Sequence, residues 1–278
     1  MCNLTICIVY DAIGTVADVV GPALNTPTNI ALLMPPLFEK WNTISNDNRQ
    51  LFPLLECLTS VATALSTGFS PYAHTVISRC LVLIEKGLLE NAVYDANPTD
   101  TNQIVPENEF IVVSLDLISG IVESTCEENV SSTSLSSSLL TSPLLTSPTF
   151  LNLLLSCGQH SDPEVRQSTL ALIGDLSKTS LSILRPGLHP LLSCLLNNLD
   201  VRYTSVCNNA TWAIGELAMA LKTEMNPYVN DCLNRMIPMI NDSTLPRNLQ
   251  ENVTITLGRL ACFLASNMTS HIPVRVHF

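Results

Sequence analysis

The segment that decides the fold is LIGDLSK at residues 172–178, because similar segments recur three more times along the chain. They are SLDLISG at 114–120, WAIGELA at 212–218 and ITLGRLA at 255–261. The glycines of the four segments are Gly120, Gly174, Gly215 and Gly258. Successive glycines are 54, 41 and 43 residues apart. A period near 40 in a helical chain is typical of an α-solenoid, in which stacked helix pairs bury apolar faces that one pair leaves exposed.

Apolar residues at helical spacing run through the rest of the chain. In the segment 10–24, Ile13, Val16, Val20 and Leu24 recur at steps of three or four residues, which places them on one helix face. Alternating β-branched runs closed by Asn-Gly or Asp-Gly turns are missing, so the pattern does not favour strands. Helices are predicted over residues 10–24, 27–40, 51–67, 72–89, 110–125, 149–157, 163–179, 184–197, 205–222, 226–240 and 247–266. Pro35 and Pro36 are expected to break or kink the second of them. We therefore predict an all-α chain, an α-solenoid of HEAT repeats built from antiparallel helix pairs.

Two segments are predicted to interrupt this array. Residues 91–109 are polar and acidic and lack helical periodicity, so they are expected to form a loop. Residues 127–149 are rich in serine and threonine and contain LLTSP twice, which is typical of a mobile insertion. The expected organisation is a single HEAT array over residues 1–278.

The charge balance limits the classes of partner. The 278 residues include 13 basic and 24 acidic side chains, which gives a net charge of −11. This argues against direct binding of nucleic acid, which needs a basic footprint, and suits a basic partner. The apolar N-terminus lacks a basic leading region, and no charge-free apolar stretch reaches membrane-spanning length, so we expect no signal peptide and no membrane insertion.

The sequence carries little that supports catalysis. The ten cysteines are scattered without a C-x-x-C pair, and the five histidines have no metal-ligand spacing. Phosphate-binding glycine loops and the G-x-S-x-G motif are missing from the sequence. We therefore expect buried reduced thiols, no metal, no cofactor and no enzyme activity.

Acidic residues at helical spacing form the most informative pattern. Asp11 and Asp18 are seven residues apart and therefore lie on one helix face, and Asp116 and Glu123 repeat that spacing. Two further acids, in LLECL at 54–58 and in IGDLS at 173–177, are surrounded by apolar residues.

Burying a carboxylate costs free energy, so these acids are expected to line an accessible surface. Equivalent helices of a solenoid stack side by side along its concave wall, where the acids would form a negative track for an extended basic ligand. The alternative is that they are ordinary solvated charges on helix faces.

Trp212 lies in NNATWAIGE, among small and polar neighbours on a helix of the recurring type. An exposed indole is a good anchor for an apolar group, and Ile255 lies 43 residues later, at the equivalent position of the next such helix. Packing in the core is the other interpretation of Trp212, and spacing alone favours it.

Several long segments resemble one family of proteins. The chain is similar to the transportins, importin-beta-type nuclear import receptors for proteins with proline-tyrosine nuclear localisation signals. The resemblance runs from about residue 6 to about residue 266, apart from the 91–109 loop and the serine-rich insertion. The segments that carry the resemblance are YDAIGTVAD (10–18), LMPPLFEKWN (33–42), LFPLLECLTSVATAL (51–65), EVRQSTLALIGDLSK (164–178), VCNNATWAIGE (206–216) and ENVTITLGRL (251–260).

The resemblance implies a set of cargo-binding residues. In the family, acidic side chains on the concave face of the C-terminal repeats receive the basic residues of the signal, and a Trp/Ile pocket takes its apolar part. The matching acidic-track positions are Asp11, Thr15, Asp18, Glu56, Asp116, Glu123 and Asp175. Trp212 and Ile255 match the pocket.

The resemblance also implies partners and a location. Proteins with basic or proline-tyrosine signals are the expected partners, the Ran GTPase and nucleoporins are partners of the full-length receptor only, and the receptor shuttles between cytoplasm and nucleus. Transportins are much longer than this chain and contain Ran-binding repeats that it lacks, so the array is expected to be truncated at both ends. Two alternatives stay open: a HEAT scaffold without transport activity, and a truncated isoform that binds cargo but cannot release it.

Overall fold

The computed structural model describes residues 4–96, 104–124 and 142–263, and in these ranges all regular structure is helical. The all-α solenoid predicted from the sequence is confirmed. The longer helices are α1 (Leu4–Val20), α2 (Pro27–Thr43), α3 (Leu51–Leu65), α4 (Ser70–Ala96), α5 (Glu109–Ser124), α6 (Pro148–Gly158), α7 (Pro163–Thr179), α8 (Leu188–Asn197), α9 (Thr204–Leu221), α10 (Val229–Ile240) and α11 (Arg247–Phe263). Short helical turns lie at Gly21–Leu24, Ser66–Phe69, Pro143–Thr146, Leu181–Leu184, Arg185–Gly187 and Lys222–Tyr228.

The chain divides into two compact units, unit 1 (Met1–Cys157) and unit 2 (Gly158–Phe278). In unit 1, α1, α3 and α5 pack side by side in chain order, while α4 packs against α5. The rings of Phe38 and Tyr72 join α2 to α4, with centroids 4.7 Å apart. Unit 1 therefore has two layers of helices, which is the arrangement expected when every helix must bury one apolar stripe.

Unit 2 repeats this plan. Helices α7, α9 and α11 pack side by side, α8 packs against α9, and α10 packs against α11. Hydrogen bonds join equivalent positions of successive repeats: the Arg235 guanidinium donates to the Leu196 carbonyl, 39 residues earlier, and the Asn209 amide donates to the Gln167 carbonyl, 42 residues earlier. These separations match the period near 40 in the sequence.

The recurring glycines lie where helices approach closely. A side chain at Gly120 would come within 3.2 Å of Thr59 on α3, and one at Gly215 would come within 2.8 Å of Thr256 on α11. At Gly174 the added carbon would overlap the ring of Trp212. Gly258 differs, because nothing in the described part of the chain lies within 4 Å of its missing side chain.

Pro35 and Pro36 do not break α2, because the helix continues to Thr43, and a kink at these prolines stays a prediction. Proline lacks the N–H that would bond to the preceding turn, so this continuation has a local cost. Burial of Met34, Leu37 and Trp41 along one side of α2 offsets that cost. The Thr26 hydroxyl accepts a hydrogen bond from the Asn29 N–H and caps the start of the helix.

Ordered helix occupies part of each predicted interruption. Helix α4 extends to Ala96, six residues into the predicted 91–109 loop, and the Asn91 amide bonds to the Gly87 carbonyl and the Asn108 side chain at 2.9 and 2.7 Å. Residues 97–103 lie outside the described residues.

Ordered helix also replaces the end of the predicted 127–149 insertion. The Ser142 hydroxyl accepts a hydrogen bond from the Leu144 N–H, and Leu145 is fully buried. These contacts fix the turn at Pro143–Thr146, so a mobile segment is the wrong description of residues 142–149. Residues 127–141 lie outside the described residues.

Two stretches, Thr5–Leu24 and Leu51–Ala96, are long and apolar enough to cross a bilayer by length and composition alone. In the second, 56% of the most apolar window is buried within the protein. The first contains Asp11 and Asp18. Such stretches are weak evidence for a membrane span, because core helices pass the same test.

Candidate functional site

Helix α1 presents one polar face to solvent. Asp11, Thr15 and Asp18 are all exposed, and their spacing places them on the same side of the helix. Tyr10 and Ala17, each one residue earlier than an acid, are buried, so an adjoining side of α1 packs against the protein. Val16 and Val19 are exposed as well, so the solvent-facing side of α1 is apolar in part.

Glu56 occupies an exposed position on the otherwise apolar helix α3. Its neighbours Leu55 and Cys57 are buried, whereas the Glu56 side chain faces solvent. Partial burial raises the pKa of the Glu56 carboxyl above its usual value, and repulsion from Glu109, Asp11 and Asp116 raises it further. These carboxylates come from three adjacent helices and are close enough to disfavour ionisation of Glu56.

We name these four residues the acidic face: Asp11 of α1, Glu56 of α3, and Glu109 and Asp116 of α5. Glu109 was not predicted, because the sequence analysis placed it at the end of the 91–109 loop. It is the first residue of α5 and is exposed, and a negative side chain at a helix start is favoured by the helix dipole. The acidic residues of ENEF at 107–110, just before an apolar helix, were the signal that could have identified it.

The other two predicted acids of unit 1, Asp18 and Glu123, are also exposed. Burial raises the pKa of the Cys57 thiol to about 12, and the Asp18 carboxylate contributes to the increase, so Asp18 also lies close to α3. Within the described residues, Asp11, Asp18, Glu56, Glu109 and Glu123 form no salt bridge. In the part of the chain that the structure describes, no cation therefore lies within ion-pair distance of these five carboxylates.

In unit 2, Trp212 of α9 lies against α7. Its ring occupies the space that a side chain at Gly174 would need, and the indole is only partly exposed. The ring of Trp212 therefore packs against α7 while the residue as a whole is partly exposed, and its use as an anchor stays a prediction. Asp175, the residue next to Gly174, is partly exposed.

Ile255 lies on α11 and is 54% exposed, which is high for a large apolar side chain. It borders an open cavity of about 570 Å³ that Ile240, Gln250 and Thr254 also line. A pocket formed by Trp212 and Ile255 together remains a prediction.

Three pairs of residues form hydrogen bonds between α9 and α11 near Trp212 and Ile255. The Asn252 amide donates to the Asn208 carbonyl at 3.1 Å, and the Thr256 hydroxyl donates to the Thr211 carbonyl at 3.0 Å. One turn further along each helix, the Arg259 guanidinium donates to the Glu216 carboxylate at 2.6 Å. The separation of Glu216 and Arg259 is 43 residues, the same as that of Trp212 and Ile255. Sequence reasoning missed this ion pair.

The described residues hold no metal-binding cluster, and most of their cysteines are buried. In residues 4–96, 104–124 and 142–263, no group of three or more His, Cys, Asp or Glu side chains is arranged to hold a metal ion. Burial raises the pKa of Cys80 and Cys232 to about 12, which keeps both thiols protonated at neutral pH. A cavity of about 490 Å³ between α4 and the start of α5 has none of the predicted site residues in its lining.

Known proteins match this chain in sequence along most of its length. A family model described as importin subunit beta-1-like, TPR repeats, matches residues 145–277. Transportin-1 of Homo sapiens is 43% identical over 256 residues, which is 91% of this chain and 27% of that protein. Transportin-1 of Oryza sativa subsp. japonica is 38% identical over 98% of this chain and 29% of its own length. The chain therefore spans less than a third of the length of these relatives.

Solved structures match the fold. A designed armadillo repeat protein in complex with the peptide (KR)4 superimposes with a TM-score of 0.57 at 16% identity, covering 90% of this chain and 91% of its own. At this identity the match shows the fold alone, an all-α solenoid of stacked helix pairs.

Proposed function

We propose that this chain, which corresponds to a segment of a transportin-type nuclear import receptor, carries part of the surface that holds the cargo. The observation that carries the proposal is the exposure of Asp11, Glu56, Glu109 and Asp116 on the packed helices α1, α3 and α5. Partial burial raises the pKa of Glu56, and the neighbouring carboxylates raise it further. Like charges held close together raise the free energy of the folded protein, and a bound cation relieves that repulsion.

The acidic face of unit 1 binds the basic part of a nuclear localisation signal of the proline-tyrosine type. Several lysine or arginine side chains on one extended peptide meet Asp11, Glu56, Glu109 and Asp116. Thr15, Asp18 and Glu123 lie on the same helices and extend the polar surface. Each exposed pair contributes only about 0.2–1 kcal/mol, so affinity depends on several pairs acting together.

Unit 2 binds the apolar part of the signal. The accessible part of the Trp212 indole is the anchor, with Ile255 beside it and Asp175 at its margin. A partly buried tryptophan supplies a large contact area while losing little conformational freedom, which is why such residues often dominate the binding energy of an interface.

With this function, the chain would be part of a receptor that moves between cytoplasm and nucleus. Ran GTPase and nucleoporins are proposed as partners of the full-length receptor and not of the residues described here.

Fluorescence anisotropy with a labelled peptide that carries a basic segment and an apolar end tests the proposal. We expect affinity to fall as salt rises, because the contacts of the acidic face are exposed to solvent. We expect Trp212→Ala to weaken binding by roughly 30-fold and Glu56→Gln by roughly two- to fivefold. Glu85→Gln, which removes an exposed charge from α4, is the control and is expected to change little.

Two results would contradict the proposal. Equal binding by the wild type and the Trp212→Ala variant would remove the role of the indole. A basic peptide without the apolar end that competes as well as the complete peptide would favour a general scaffold for basic proteins.

A further inference from the structure

The ion pair between Glu216 and Arg259 lies beside the proposed apolar subsite. Glu216 follows Trp212 by one helical turn on α9, and Arg259 follows Ile255 by one turn on α11. Residues four apart on a helix share a face, so each partner of the ion pair neighbours one of the two predicted anchor residues.

The two partners of this pair are not equally accessible. The Glu216 side chain is 13% exposed and the Arg259 side chain is 30% exposed. The guanidinium reaches the carboxylate by crossing Gly215, where an added side-chain carbon would lie 3.1 Å from Nη1. A guest that approaches Trp212 therefore meets the guanidinium edge more readily than the carboxylate.

Arg259 also has hydrogen-bonding capacity to spare. Its Nη1 bond to Glu216 is the one hydrogen bond of this side chain within the described residues. A guanidinium carries five N–H donors and no acceptor, so it complements an oxygen atom and repels a cation.

We infer that Arg259 is a specificity-determining residue for the apolar part of the guest. It favours a peptide with an acidic side chain beside the apolar anchor and disfavours one with lysine at that place. Glu216 is a positioning residue, because it holds the guanidinium over Gly215. The inference rests on the proposed function and deepens it: unit 1 selects positive charge, whereas the subsite in unit 2 selects against it.

Three labelled peptides that differ only in the residue next to the apolar anchor, which is Asp, Ala or Lys, test the inference by anisotropy. With the wild type we expect the Asp peptide to bind roughly fivefold more tightly than the Lys peptide. Arg259→Gln is expected to abolish the preference, and Arg259→Lys to retain most of it because the charge remains. Glu216→Gln keeps a side-chain oxygen that can accept the Nη1 hydrogen bond but removes the negative charge, so it is expected to increase the preference.

Arg185→Gln is the matched control. Arg185 also forms an inter-repeat ion pair in unit 2, with Glu224 at 2.7 Å, and belongs to a different pair of elements. This variant should keep the wild-type preference, and circular dichroism of each variant verifies that the helices are retained.

The binding results distinguish a failed role of Arg259 from a failed cargo surface. Wild-type protein that binds all three peptides equally, or an Arg259→Gln variant that keeps the full preference for Asp, overturns the role of Arg259 and leaves the cargo surface intact. Wild-type protein that binds none of the peptides overturns both.

Discussion

Units 1 and 2 place charged residues differently on equivalent helices. In unit 1, α1, α3 and α5 bring Asp11, Glu56 and Glu109 close together without a cation between them in the described part of the chain. In unit 2, α9 and α11 join Glu216 to Arg259, and Trp212 packs against Gly174 on α7.

These two arrangements of charge have opposite effects on the stability of the folded array. An acid paired across two repeats adds to the stability of the array, whereas unpaired acids of like sign reduce stability and remain available to a partner. On these helices, unit 1 leaves like charges near one another, whereas unit 2 pairs an acid with a cation and packs one aromatic ring against a glycine.

The largest expected effect concerns the packing in unit 2. Gly174→Ala should destabilise unit 2 by about 1–3 kcal/mol, because the new methyl group overlaps the Trp212 ring and forces it to move. Gly258→Ala is the matched control, and it should stabilise the protein by about 0.5–1 kcal/mol, since it replaces a helical glycine that has no described atom within 4 Å of the added carbon. Urea unfolding measures the free energy of unfolding of both variants. If both variants were stabilised or both destabilised, the packing of the indole would not depend on the missing side chain at Gly174.

A smaller effect concerns the charge of unit 1. The triple variant Asp11→Asn, Glu56→Gln, Glu109→Gln should bind a basic peptide roughly tenfold more weakly at low salt, as three exposed pairs are lost. The affinity of this variant should also depend less on salt than that of the wild type.

The control for this experiment removes the same net charge from the other layer of unit 1. Glu39, Glu85 and Asp95 are exposed on α2 and α4, and their neutral variants should change the affinity less than twofold. If both triple variants lost the same affinity, the effect would come from net charge and not from the acidic face.

The smallest effect concerns the stability of unit 1. Because the pKa of folded Glu56 is raised, the folded state holds a proton more tightly than the unfolded state, so stability falls as pH rises through the folded pKa. At neutral pH, Glu56→Gln should raise the melting temperature by roughly 1–2 °C. Thermal melts at pH 4 and pH 7 should show the gain at pH 7 and little at pH 4, and a loss of stability at pH 7 would indicate that Glu56 is stabilising.

The repeat period predicted the fold because it depends only on the spacing of small and apolar residues. The exposure of Glu56 was predictable for a similar reason: one carboxylate among Leu54, Leu55, Cys57 and Leu58 has no apolar place to occupy. Local patterns of this kind need no knowledge of neighbouring helices.

The features that sequence reasoning missed depend on contacts between helices. The pairing of Arg259 with Glu216 requires the register of α11 on α9, and the continuation of α2 through Pro35 requires burial of Met34 and Leu37. Glu109 was missed because the polar composition of 91–109 concealed the start of α5.

The central claim is that carboxylates from three helices of unit 1 repel one another and are relieved by a basic guest. Nuclear magnetic resonance titration of the Glu56 side-chain carboxyl, with and without a saturating basic peptide, tests it most directly. The account predicts that the pKa of Glu56 lies above that of an ordinary glutamate in the free protein and falls when the peptide binds. An ordinary pKa that the peptide leaves unchanged would contradict the claim.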